Sequence, residues 1–99
     1  MQVVYKYEVQ DFFSYPKVEV PLDFVLLHVA RLDLELFVWG LTDPEKNTGH
    51  ATINLAVRGT GQQAPNGDHL ATIEDGQYIW HVFQTGPIRL QFKQGLKFE

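Results

Sequence analysis

Period-two alternation of apolar and polar residues returns in segment after segment of this chain. Val3, Tyr5, Tyr7 and Val9 alternate with Val4, Lys6, Glu8 and Gln10, and Val18, Val20 and Leu22 are spaced by Glu19 and Pro21. Ala51, Ile53, Leu55 and Val57 alternate with Thr52, Asn54, Ala56 and Arg58, and Ile88, Leu90 and Phe92 with Arg89, Gln91 and Lys93. A strand sends successive side chains to opposite faces, so each run reads as a half-buried strand. Residues 24–29 and 36–41 are apolar on both faces, the character of central or interface strands. No stretch sustains helical periodicity over three turns. The expected fold is all-β: a small antiparallel β-sandwich or partly open barrel of about seven to eight short strands.

Turn chemistry divides these runs. Asp43-Pro44 and Gly49 bound one loop, and a long polar loop from Gly59 to Asp68 contains Pro65. Asp75-Gly76 signals a two-residue hairpin between the runs at 70–73 and 77–84. Short helices remain open alternatives at 11–15 and 44–47.

Composition narrows the function classes. The 99 residues make one domain, 1–99, and an apolar fraction of 44% supports a packed core. There is no cysteine, which excludes disulfides and thiolate metal sites. Twelve acidic residues against eight basic ones give a net charge of −4. Direct DNA or RNA binding is therefore not expected, because phosphate backbones are held by clustered Lys and Arg. No signal-peptide pattern opens the sequence, and the apolar run at 24–30, broken by His28, is too short to span a bilayer.

The opening Val4-Tyr5-Lys6-Tyr7, then Pro21, and then Val38-Trp39-Gly40-Leu41-Thr42-Asp43-Pro44 resemble a family of small bacteriophage proteins of unknown function. Gly59-Thr60-Gly61, His69-Leu70-Ala71-Thr72 and Trp80-His81-Val82-Phe83 continue the likeness over roughly residues 1–84. The tail from Thr85 to Glu99 lies beyond that pattern. Asp33-Leu34 stands where the family often has Asn-Gly, so a longer turn is expected there. Gln62-Gln63 replaces the family's frequent His-Pro. The resemblance implies a phage origin, action in the host cytoplasm, and an accessory role against host machinery, including immune systems. It brings no known activity or cofactor.

Candidate chemistry concentrates in two places. Arg58, Gly59, Thr60 and Gly61 set flexible backbone donors and a hydroxyl beside a permanent positive charge, a grouping suited to an anionic oxygen. The competing reading is that the glycines only let the chain leave the sheet. The second place is Phe12-Phe13-Ser14-Tyr15, where adjacent rings cannot all point inward. Phe12, Phe13 and Tyr15, with Phe37, are candidate partner-interface residues, the alternative for the first three being a satellite core under the loop. Trp39 and Trp80 are expected in the core.

Other motifs lead nowhere further. Gly59 to Ala64 fits a dinucleotide fingerprint formally, but Pro65 and Gly67 forbid the helix it needs. His28, His50, His69 and His81 lack metal-ligand spacing. Ser14, the one serine, has no nucleophile-elbow context, and Glu74 and Asp75 sit at a solvated hairpin tip. No catalytic residue, metal or cofactor is expected. Residue pattern and resemblance together point to a non-enzymatic phage accessory protein, self-associating as a homo-oligomer around Phe12, Phe13 or Phe37. It would counter host defence by sequestering a small anionic nucleotide signal. The alternatives are an inhibitor that masks a host defence protein, or a structural, virion-associated component.

Overall fold

A computed structural model describes residues 1–46 and 49–92. It contains eight strands and, among the described residues, no helix: β1 Val3–Glu8, β2 Lys17–Pro21, β3 Val25–Leu32, β4 Glu35–Thr42, β5 His50–Gly59, β6 Asp68–Asp75, β7 Tyr78–Thr85 and β8 Gln91–Phe92. They form two four-stranded sheets, β1-β4-β3-β8 and β2-β5-β7-β6, with no closed barrel. Every pairing is antiparallel except β3 with β8, which is parallel. The sandwich is the one of the two expected architectures that these residues adopt.

Alternation decides what lies between the sheets. Leu36 and Val38 of β4 meet Val18 and Val20 of β2, Ile53 and Leu55 of β5 and Val82 of β7 in one buried cluster. Phe24, Leu26 and Val29 complete it from the β3 side, and Leu90 from the tail. Leu90 is held by Gln84, a fully buried amide. Gln84 Oε1 accepts from the Leu90 N–H at 2.6 Å and its Nε2 donates to the Leu90 carbonyl at 3.1 Å. The segment after β7 is thereby fastened across the core and delivered to β3.

Several local expectations need correction. Of the two alternatives left open at 11–15, the structure shows the turn, with Asp11 in the left-handed region at φ 53°. Pro44 to Lys46 are likewise turn and bend, and Asn47 lies outside the described residues, as do 93–99 of the tail. Asp33-Leu34 makes no longer turn: Leu32 pairs with Glu35, and Asp33 takes the positive φ (56°) that a two-residue hairpin demands at its first central position. The second hairpin is shifted by one residue. Asp75 pairs with Tyr78, so Gly76 and Gln77 are its central residues. Asp75 stays in the strand, where it pairs with Arg31 of β3 across the sandwich rather than standing free in solvent.

Trp39 is the largest departure. It belongs to the outward set of β4 with Phe37 and Leu41, whereas Leu36, Val38 and Gly40 face in. Trp80 does pack against the core, half-buried.

Asp23, in the turn before β3, ties β4 to that turn. It accepts from the Thr42 hydroxyl at 2.6 Å and from the Asp43 N–H at 2.8 Å. These bonds, the hydroxyl's first, hold its carboxyl below the ordinary 3.8. Because the folded value is depressed, the folded state binds fewer protons than the unfolded one. The contribution is present above the unfolded value and lost as pH falls through the folded one. Asp23→Asn should therefore lower the urea midpoint at pH 7 and narrow the gap between variant and wild type at pH 3. Parallel pH profiles for the two proteins would contradict this.

Candidate functional site

β2 and β5 run side by side only from Lys17, opposite Asn54, to Pro21, opposite His50. Past that point the chain before β2 swings away from β5. A bridge between Gln10 and Lys17, bonded in both directions at 2.7 and 3.1 Å, closes the neck of this excursion. The Leu55 N–H donates to the Pro16 carbonyl at 2.8 Å and docks its far end on β5. A groove of about 680 Å³ opens between them. Residues 12–17 wall it, residues 54–58 of β5 form its floor, and Thr85 lies at its rim.

The aromatic run divides its work around this groove. Phe12 turns toward the core, beneath the Arg31 guanidinium at 5.2 Å from the ring centre. Phe13 meets Phe12 edge-on at 4.8 Å but is 82% exposed, and Tyr15 is 83% exposed. Both sequence alternatives thus hold, for different rings: Phe12 is satellite core, and Phe13 and Tyr15 are surface. Phe37 is not with them. It lies on the outward face of the β1-β4-β3-β8 sheet, under Lys6 Nζ at 4.6 Å.

Arg58 lines the same groove. Its Nε donates to the Gln63 carbonyl and its Nη1 to the Val57 carbonyl, both at 3.1 Å. A guanidinium has five N–H donors, so this anchoring leaves donors for a ligand and removes the entropy of placing them. After Arg58, residues 59–62 make a turn closed by the Gln62 N–H on the Gly59 carbonyl at 3.1 Å. Gly61 occupies its third position at φ 94°, where a type II turn requires a positive value. The Gly59 N–H is taken up by Gln62 Oε1 at 2.7 Å. Gln62 therefore has a structural task, and Gly59, the last residue of β5 and paired with Trp80, is no open donor. Thr60 contacts His81 Nε2 at 3.4 Å.

Lys17, Asn54 and Thr85 are groove residues that the sequence reading missed. Lys17 brings a second cation, paired with Asp11 at 3.3 Å at the surface. Asn54 and Thr85 are cross-strand partners on the outward side. Their signal was the alternation itself, which sets 54, 56 and 58 on one face. The same face continues through His81, opposite Arg58, to Thr72 and His69, which are joined by hydroxyl–imidazole contacts of 3.2 and 3.0 Å. Among the described residues no three His, Asp or Glu side chains gather as a metal-ligand set.

A family model for a domain of unknown function, DUF7352, matches residues 1–90. The chain belongs to the DUF7352 family. No curated protein and no solved structure matches it. The DUF7352 match reaches Leu90, the residue gripped by Gln84. The first part of the tail is thus an integral part of the DUF7352 domain, as its buried position requires.

Proposed function

We propose that this chain is a non-enzymatic binding protein that holds a small anionic ligand of nucleotide type in the groove between residues 12–17 and β5. One observation supports the reading above others. Arg58 and the aromatic residues at 12, 13 and 15, far apart in sequence, line one cavity. Exposed rings offer stacking surfaces for a base, and an anchored guanidinium with a nearby lysine offers charge to a phosphate. The cavity falls within the size range of small-molecule sites. The phage resemblance supplies the setting: an accessory protein in the host cytoplasm that withdraws a nucleotide signal from a defence system.

Titration calorimetry against linear and cyclic nucleotides tests this. At least one should bind, and Arg58→Ala should weaken it by about 1.5–3 kcal/mol, the range for a hydrogen bond to a charged group. Absence of binding across the panel removes the sequestration reading. A second reading is favoured by the exposure of Phe13 and Tyr15: the two rings would then cover a host protein. That version predicts that Phe13→Ala and Tyr15→Ala abolish capture of the partner while Arg58→Ala does not.

A further inference from the structure

The outward faces of the two sheets differ sharply. In the β2-β5-β7-β6 sheet that face carries Lys17, Glu19, Thr52, Asn54, Thr72 and Glu74, as expected for a surface in water, with Ala56, Ile79 and Phe83 the apolar exceptions on β5 and β7. In the β1-β4-β3-β8 sheet the middle of that face is apolar. Phe37, Trp39 and Leu41 stand in line on β4, and the register sets Val4 and Val25 on either side of Leu41. Val4 is 57% exposed and Leu32, at the hairpin end, 46%. Phe37 and Trp39 have ring centres 6.0 Å apart, and His28 lies 5.6 Å from Trp39. A sandwich has no internal use for an apolar outer face, and contiguous patches of this kind mark association surfaces.

We propose that this face binds a second copy of the chain, forming a two-fold dimer in which the β1-β4-β3-β8 sheets pack face to face with Trp39 near the axis. Size, charge and symmetry select this occupant. Three strands about 4.8 Å apart, each contributing six residues at about 3.4 Å, cover roughly 300 Å² per copy. Two such faces make roughly 600 Å² of flat footprint, and side-chain relief brings the accessible area lost to about 1,000 Å², the threshold for a specific dimer. The charged groups of the face are Lys6 on one side and Glu8 with Glu35 at one end. One cation and two carboxylates leave the face at a single negative charge on a chain of net charge −4, and all three stand at its margins, so two like copies meet without strong repulsion. A two-fold axis through a central strand makes such a patch self-complementary, and aligned sheet packing supplies its geometry. The dimer stands independently of the ligand groove, which lies beside β5 in the other sheet and stays open in both copies.

Sedimentation velocity on the full chain from 1 to 200 μM should show monomer giving way to dimer. Trp39→Glu should shift it to monomer at every concentration, while Phe13→Asp leaves it dimeric. A wild-type monomer at 200 μM overturns the proposal, as does a dimer that survives Trp39→Glu or is lost on Phe13→Asp. A thiol probe covers the case in which Trp39→Glu fails to fold. The chain has no cysteine, so exposed His28→Cys provides one labelling site on this face. Its maleimide reaction should slow at least fivefold between 1 and 200 μM protein; an unchanged rate would overturn the proposal equally.

Discussion

Gly40→Ala is expected to destabilise the domain by about 3 kcal/mol, the top of the usual range for overpacking a core, although it adds a single methyl group. Gly40 faces the core from the middle of β4, and the ring of Phe24 occupies the space a side chain would take. A Cβ placed there would lie 2.3 Å from Phe24 Cζ and 2.5 Å from the carbonyl oxygen of Val25. The ring can swing away, but only by giving up a buried position and its edge contact with Tyr7 at 5.5 Å. The Val25 oxygen cannot move so easily, since its strand is paired to β4 on one side and β8 on the other. Phe24→Leu in the Gly40→Ala background should therefore recover part of the loss, and not all of it. Urea unfolding of the four proteins of this cycle measures the coupling. Additive effects would show that the ring and the glycine do not share this space.

The alternation that made the fold legible also limited what could be read. It identified strand runs correctly because β2, β4 and β5 each bury one face, and a one-residue slip would turn that face to water. It could not say which apolar face of residues 36–41 was inward. Leu36 and Val38 on one side and Phe37, Trp39 and Leu41 on the other are equally hydrophobic, and the larger rings proved to be the outer set. Trp39 was assigned to the core by size alone. The hairpin at Gly76 was misplaced by one residue because Asp-Gly turn chemistry competes with a tertiary partner. Arg31 holds Asp75 in the strand, and nothing local to Asp75 announces that.

The groove was half visible. Arg58 and Phe12, Phe13 and Tyr15 stood out for separate reasons, charge beside glycines in one case and crowded rings in the other. Their convergence depends on the chain crossing from one sheet to the other at 9–16 and on the Leu55–Pro16 bond, which no spacing encodes. Phe37 was grouped with them as another conspicuous aromatic residue, but the sandwich puts it on a different surface.

Gln84 is the second residue whose replacement should have a large effect, because it serves two elements at once. It is 1% exposed, and its amide satisfies both backbone groups of Leu90 while Nε2 also reaches Asp68 Oδ2 at 3.2 Å. Gln84→Met keeps nearly the same volume and removes every one of these bonds, leaving a buried N–H and C=O unpaired. Each such group costs about 1–3 kcal/mol, so the variant should lose about 2–6 kcal/mol in urea unfolding. Gln84→Ala should lose more, because it adds a cavity to the same polar defect. Local opening separates this account from a general weakening. Hydrogen exchange at the Leu90 amide should accelerate far more than at Val38 or Ile53, since the segment after β7 can peel from β3 while the rest of the sandwich stays closed. If Gln84→Met unfolds within about 0.5 kcal/mol of wild type, the amide is not the clasp that fastens this segment.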